Sequence, residues 1–233
     1  MKNYSVISQG KEAFYDSVMH SYKKNNEEAR AKNQHAPGIP ILTYSTLRLE
    51  LPISATVTEM IFPVLDGVVA PGAASQFPNE IRLQQNDNFH IDTCFIGMTQ
   101  LVAATDTNYR IKTYPNEVEL GAANVNDYFN FYNGRMKINV NQVDVLTNWD
   151  VEKHLVIPQT QRLSVAANTN RDQYDAQADG VVEMRPSIML SGAYTNTVTI
   201  NLNAAVATAL AGGLTRAVII FRGLRAQNAA IRK

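Results

Sequence analysis

Cysteine is almost absent from this sequence, and acidic residues are absent from its last 50 positions. The only cysteine, Cys94, cannot form an intrachain disulfide, which excludes the small secreted folds that depend on disulfides. It lies in the apolar run FHIDTCFIGM, where we expect a small buried side chain. The sequence shows no signal-peptide core and no apolar stretch of about 18 residues that could span a membrane. These absences predict a soluble protein made in a reducing cytoplasm.

Charge is balanced over the whole chain but not along it. The formal net charge is zero, which argues against a strongly basic nucleic-acid binder and predicts no specific nucleic-acid recognition. No acidic residue follows Glu183, whereas six basic residues do. Such a distribution could present a basic face to phosphates or anionic lipid headgroups, or it could be a set of solvated charges that discourage pairing at strand edges. The predicted basic face consists of Arg222, Arg225, Arg232 and Lys233.

Residues 1–38 differ in composition from the rest of the chain. They are rich in Lys, Glu and Asn, and four apolar or aromatic side chains are spaced as one helical stripe. A short lone helix is marginal in water, so it must dock on its own domain, on a neighbouring subunit or on a surface. We predict a short amphipathic helical arm, anchored by Phe14, Val18, Met19 and Tyr22.

From residue 39 to residue 233 the pattern is that of β-strands. About a dozen short strand candidates follow one another with turn signals between them, which predicts an all-β sandwich or barrel. Asn133-Gly134 separates two alternating runs and predicts a tight hairpin, because both central residues of a type I′ turn need positive φ. The run RAVIIF (216–221) is almost continuously apolar and predicts a strand buried on both faces.

Motifs for catalysis are missing from the sequence. The four histidines lack metal-ligand spacing, and no P-loop, G-x-S-x-G or G-x-G-x-x-G motif occurs. Asp172, Asp175 and Asp179 lie in one polar loop and are candidates for a structural Ca²⁺ site, although they lack EF-hand spacing. We therefore predict that the protein is not an enzyme and that it needs no cofactor other than this candidate Ca²⁺.

An ordered series of segments carries a resemblance to a known family. The series resembles the layout of the jelly-roll major capsid proteins of small icosahedral, membrane-containing bacteriophages, the type with two barrels per subunit and trimeric capsomers. The similarity covers about residues 80–228 and is one of pattern rather than of a diagnostic motif. The segments are RLQQNDNFHIDTCFIGM (82–98), TYPN (113–116), FYNGRMKINVNQVDV (131–145), VIPQTQ (156–161), PSIMLSGAYTNTVTINL (186–202) and AVIIFRGLRAQN (217–228).

This resemblance implies a fold and a function. It implies two compact antiparallel barrels in residues 39–233, divided near residues 147–160, although two barrels need sixteen strands and a single decorated jelly roll is the alternative. It implies a structural protein of the virion that forms homotrimers and a shell around a genome or an internal membrane, together with other virion proteins. The helical stripe of the arm would then face lipid or a neighbouring subunit, and the basic face would meet headgroups or genome.

A function of another class stays open beside the capsid. A carbohydrate- or receptor-binding β-sandwich, such as a spike or fibre module, would use the aromatic cluster at residues 128–132 and the polar loop at residues 168–180. The competing interpretation of the aromatic cluster is that it packs against the core of the body.

Overall fold

The computed structural model of the chain describes residues 3–32, 38–68, 77–100, 111–113, 125–156, 180–206 and 215–230. Within these ranges lie two α-helices, α1 (Asn3–Ala31) and α2 (Val125–Tyr132), and a 3₁₀ turn (Val151–His154). The strands are β1 (Ile41–Pro52), β2 (Glu59–Pro63), β3 (Asn88–Gln100), β4 (Ile111–Lys112), β5 (Arg135–Val140), β6 (Val143–Asp150), β7 (Val182–Ser191), β8 (Asn196–Asn201) and β9 (Thr215–Gln227).

The strands pair in a nested order. β1 pairs with β9, β2 with β8, β3 with β7, and β5 with β6. Pairing of β9 with β3 and of β8 with β5 joins these pairs into two sheets, and every one of these pairs is antiparallel. Sheet A has the order β1-β9-β3, with β7 and β4 sharing the other edge of β3, and sheet B has the order β2-β8-β5-β6. The all-β prediction is confirmed at the level of fold class.

The two sheets share one large apolar core. Alternate side chains of β1, β3, β7 and β9 meet those of β2, β5 and β8, because successive residues of a strand point to opposite faces. Cys94 lies in this core, as expected, and its burial raises the pKa of the thiol. The largest side chains that contribute to the core are Phe62, Phe89, Phe131, Tyr132 and Phe221.

Strands from both halves of the chain alternate within each sheet. β8 lies between β2 and β5, and β9 lies between β1 and β3. The described strands therefore do not divide into two successive barrels near residues 147–160, contrary to that expectation. The physical reason is that the strand partners are distant in sequence, so the order of strands along the chain did not reveal which of them are neighbours.

Strand β9 is buried on both faces, as RAVIIF predicted. Ala217, Ile219 and Phe221 point into the core between the sheets, whereas Val218 and Ile220 join Phe95 and Ile111 in a separate cluster on the outer face of sheet A.

The prediction of a hairpin at Asn133-Gly134 is wrong. The run before it forms helix α2, in which Tyr128, Phe131 and Tyr132 recur at helical spacing and are buried in the core. The tight turn lies instead at Asn141-Gln142, between β5 and β6, where φ is 50° and 67°. Gly134 is needed for close packing, because a Cβ there would lie 2.9 Å from the Phe131 carbonyl oxygen and 3.0 Å from that of Asn201.

Candidate functional site beneath helix α1

Helix α1 lies on the outer face of sheet A. The sequence predicted a short helix, and α1 extends over 29 residues. Phe14 and Val18, one helical turn apart, are buried against Leu224 of β9, with Tyr22 and Leu42 packed at the margin. The predicted stripe is therefore real, and it faces the protein's own sheet.

This contact shows where the predicted helical arm docks. Of the three docking places left open by the sequence, the structure shows the helix on its own domain. In this arrangement Phe14 and Val18 do not face lipid or a neighbouring subunit, because sheet A covers them. Met19, the fourth predicted anchor, is half-buried. An arm that reaches another subunit stays a prediction.

Polar contacts fix the C-terminal half of α1. The Tyr22 hydroxyl lies 2.9 Å from His90 Nε2 on β3 and accepts a hydrogen bond of 3.2 Å from Asn88 Nδ2. The Tyr22 ring also meets the His90 ring edge-on, with centroids 5.5 Å apart. Burial lowers the pKa of His90 to about 4, so the ring is neutral at physiological pH. Farther along, Asn26 bonds both the carbonyl and the amide of Gly38 and holds the chain that leaves the helix.

Two hollows flank the N-terminal half of α1. One has a volume of about 490 Å³ and is lined by Phe14, Ser17, Ser21, His90 and Arg185, among others. The other has a volume of about 540 Å³, and its lining combines apolar surface with several hydroxyl and charged groups: Lys11, Tyr44, Ser45, Thr46, Asp92, Thr93, Val181, Arg222 and Gly223. Tyr44 ties the helix to the sheet across this second hollow, because its hydroxyl donates to the Lys11 carbonyl oxygen at 2.8 Å.

Asp92 enters the second hollow because of an irregularity in a central strand. Against β9, Asp92 is an extra residue of β3, because Ile91 pairs with Gly223 and Thr93 pairs with Arg222. Against β7 the longer stretch lies in β7, where four residues separate the partners of Ile91 and Thr93. Gly223 on β9 accommodates the shift, since a Cβ there would lie 1.9 Å from the His90 carbonyl oxygen. A β-bulge of this kind re-aims a side chain, and bulges are frequent next to functional sites.

The electrostatic surroundings of Asp92 are mixed. Burial has the largest effect on the pKa of Asp92 and raises it, and the negative charge of Glu183 raises it further. The positive charges of Arg185 and Lys11 oppose this rise without cancelling it. Arg185 Nη1 lies 3.2 Å from the buried Asp92 Oδ1, and it is the one partner that the described residues give this oxygen. Asp92 is thus an ion-paired carboxylate with unused acceptor capacity.

The predicted basic residues do not form one face in the described residues. Arg222 is exposed at the second hollow, on the outer side of sheet A. Arg225 points to the opposite side of β9, where its guanidinium pairs with the buried Asp87 at 2.5 Å. The expectation of a basic face is therefore wrong for Arg225, because a three-residue step along a strand reverses the direction of the side chain. Arg232 and Lys233 lie outside the described residues.

The other sequence-predicted candidates lie away from this site. Asp172, Asp175 and Asp179 fall outside the described residues, and within those residues no group of three His, Cys, Asp or Glu side chains is placed to hold a metal ion. In the aromatic cluster at residues 128–132, Tyr128, Phe131 and Tyr132 are buried, which confirms the core-packing interpretation for these three, whereas Phe129 is half-buried.

A second buried histidine lies far from α1, at the 3₁₀ turn. Trp149 Nε1 donates to His154 Nε2 at 3.0 Å, so His154 carries its proton on Nδ1, which donates to the Gly180 carbonyl oxygen at 2.9 Å. Burial lowers the pKa of His154 to about 4, with a smaller contribution from the Lys153 charge, although the bond to Gly180 opposes this shift. The interaction is structural, because both ring nitrogens are occupied within the chain.

Sequence reasoning missed Asp92 and His90. The available signal was that both polar residues interrupt an otherwise apolar run, FHIDTCFIGM, which is unusual for a strand buried on both faces. Their roles depend on α1 and on the bulge, neither of which that run encodes.

Comparison with known proteins found no match for the chain. No protein-family model, no curated protein and no solved structure matches it. Among the described residues, neither helix combines the length and the apolar character that crossing a bilayer requires.

Proposed function

We propose that this chain is a structural subunit of an icosahedral phage capsid, and that its body is a single jelly roll rather than two barrels. The observation that carries the proposal is the nested pairing of β1 with β9, β2 with β8, β3 with β7 and β5 with β6. Four nested strand pairs rolled into two facing sheets correspond to the jelly roll, an architecture that occurs in viral capsid and lectin domains.

The fold supports more than one function, so the surface must favour one of them. β6 is an edge of sheet B that pairs, among the described strands, with β5 alone. Its Val143 and Val145 are 62% and 44% exposed. An apolar edge strand is a template for pairing with another chain, which suits a protein that assembles with copies of itself.

Helix α1 gives a second reason to favour assembly. It extends over 29 residues, and among its described side chains, from Gly10 onward, the buried apolar ones are Phe14 and Val18. A long helix held by few buried apolar side chains can exchange partners at low cost in free energy, as an arm must during assembly. The partners under this proposal are further copies of the chain in a homotrimer, other virion proteins and, where one is present, an internal lipid membrane.

The second candidate, a glycan-binding module, loses the surface that the sequence offered for it. The side chains of Tyr128, Phe131 and Tyr132 are at most 3% exposed and cannot stack on a sugar. Its other predicted surface, the loop at residues 168–180, lies outside the described residues apart from Gly180.

The test of the capsid proposal is the solution mass of the purified protein, measured by light scattering, with negative-stain images of the same sample. We expect trimers, capsomer sheets or closed shells. A variant in which Val143 and Val145 are both replaced by Lys should keep the circular dichroism spectrum of the body and lose the larger species. Val57→Lys, an exposed substitution outside the edge strand, serves as the matched control. A stable monomer at every concentration would overturn the proposal.

A further inference from the structure

The hollow around Asp92 has the features of a ligand site that the capsid proposal does not use. Its volume of about 540 Å³ lies within the range of small-molecule sites. It opens between α1 and the outer face of sheet A, on rigid strands rather than on loops. A shaped hollow with convergent polar groups is the form that binding sites usually take.

The backbone around the hollow is built to aim Asp92 into it. A bulge at Asp92 interrupts the ladder between β3 and β9, and β7 passes the same point with four residues between its paired positions. The shift requires Gly223, at which no other residue fits. A feature that disrupts a central strand lowers stability, so its presence calls for an explanation other than packing.

The carboxylate of Asp92 is incompletely satisfied. Among the described residues, its buried Oδ1 has one partner, the Arg185 guanidinium, with Nη1 3.2 Å away. Each carboxylate oxygen can accept more than one hydrogen bond. Asp92 therefore keeps capacity to accept from a further hydrogen-bond donor.

The surrounding charges define which donor fits. Lys11, Arg185 and Arg222 lie around Asp92 or line the same hollow, and their charges disfavour a metal ion or an ammonium group. The carboxylates of Asp92 and the nearby Glu183 offset most of this positive charge, so an anion gains little net attraction. A neutral hydroxyl group suits such a mixed site, because it can donate to Asp92 and accept from the cationic side chains.

The rest of the lining has the same character. Thr46 and Thr93 offer hydroxyl groups that both donate and accept. Tyr44 is 55% exposed at the rim, and its bond to Lys11 fixes the ring in place. An exposed aromatic ring beside paired Asp and Arg side chains presents an apolar face and polar edges, which matches the two kinds of surface on a sugar ring.

We propose that the hollow between α1 and sheet A binds a neutral saccharide, with Asp92 accepting from its hydroxyl groups and Tyr44 packing against its ring. The site includes the Lys11 backbone, so it is complete only while α1 is docked. Occupancy would therefore also hold the helix on the sheet.

The probes are neutral sugars, namely glucose, galactose, mannose, N-acetylglucosamine and their disaccharides, titrated against the full chain and followed by amide chemical shifts. We expect at least one of them to shift the amides of Thr46, Thr93 and Gly223 and to slow hydrogen exchange in α1. Asp92→Asn should weaken that affinity about tenfold, equivalent to about 1.4 kcal/mol. Asp144→Asn, on the far sheet, should leave it unchanged.

Tyr44→Ala is the second variant, because Tyr44 is exposed and its loss should leave the body folded if Asp92→Asn does not fold. It should also weaken binding. The proposal is overturned if no neutral sugar shifts these amides, if both variants bind as tightly as the natural chain, or if Ca²⁺, glucosamine or glucuronate binds there more tightly. Because the titration does not depend on assembly, a monomer that binds sugar would refute the capsid proposal alone.

Discussion

The two faces of sheet A are packed in different ways. Its inner face meets sheet B across a continuous core in which Phe89, Ile219 and Phe221 are fully buried. Its outer face meets α1 through an apolar cluster whose buried members, among the described side chains, are Phe14, Val18 and Leu224. Each fully buried side chain of this kind contributes about 1.5–3 kcal/mol, and ordering the helix offsets part of that gain.

The difference separates the inner core, which stabilises the folded body, from the contact with α1, which can open. The inner face resists change, because each large side chain there contacts several strands at once. The outer contact can open without exposing the core, so the helix is the part of the chain that can be released, docked on another copy or stabilised by a ligand. Four changes test this division, starting with the largest expected effect.

The first test removes a large side chain from the inner face. Phe221→Ala should lower the free energy of unfolding by about 3–5 kcal/mol, because Phe221 is fully buried and the cavity cannot collapse between two sheets. Urea unfolding followed by circular dichroism measures the change. Val143→Ala, on the exposed edge, is the control and should lie within about 0.5 kcal/mol of the natural chain. A loss below about 1 kcal/mol for Phe221→Ala would contradict the assignment of body stability to the inner core.

The second test lowers the pH, which should destabilise the body because the buried His154 excludes a proton in the folded state. The folded pKa is lowered from 6.5 to about 4, so above pH 6.5 both states are neutral and the full stability is present. As the pH falls from 6.5 to 4, the unfolded chain gains a proton that the folded chain excludes. This window should therefore remove roughly 3 kcal/mol of stability, at about 1.36 kcal/mol per pH unit.

Urea unfolding at about pH 7 and about pH 4.5 checks the sign and the size of this effect. His154→Gln should be less stable at neutral pH and should lose less on acidification than the natural chain does. His90→Gln is the companion variant, because His90 has a similarly lowered pKa but lies beneath α1. Equal pH dependence in His154→Gln and in the natural chain would exclude His154 as a source of acid sensitivity.

The sequence indicated the positions of helices and strands more clearly than it indicated which strands pair. The spacing of Phe14, Val18 and Tyr22 predicted a helix, and the run at 216–221 predicted a strand buried on both faces, because both signals are local. Strand pairing is not a local signal, since β9 pairs with β1 and β3, which lie far away in sequence. At residues 128–134 the turn dipeptide Asn133-Gly134 was given more weight than the helical spacing of the aromatic residues before it, and the predicted hairpin was wrong.

The candidate site was harder to predict than the fold. Asp92 is visible in the sequence as a charge within an apolar run, but its direction depends on a register shift shared by three strands. The fit of Gly223 to that shift depends on the His90 backbone, which lies far away in sequence. Arg225 was grouped with Arg222 by composition, although two strand residues that are three positions apart point to opposite faces.

The third test removes the main apolar contact of the helix. Phe14→Ala should release α1 while leaving the body folded, because Phe14 contacts only the outer face of sheet A. Hydrogen exchange should show at least about tenfold lower protection in α1, equivalent to about 1.4 kcal/mol, with unchanged protection in β3 and β9. Lys24→Ala, an exposed site on the same helix, is the control. If β3 and β9 lost protection together with α1, the helix would be part of the folding unit and the division would fail.

The smallest effect is expected from one hydroxyl group. Tyr22→Phe keeps the edge-on ring contact with His90 but removes the hydrogen bonds to His90 and Asn88. A hydrogen bond of this kind contributes about 1 kcal/mol, so protection of the α1 amides should fall about fivefold. Tyr15→Phe is the matched control, since the Tyr15 hydroxyl makes no hydrogen bond within the described residues and its ring packs on the same contact. Equal effects from the two substitutions would mean that apolar packing alone holds the helix, whereas a larger effect at Tyr22 would mean that the polar contacts with β3 also set its position.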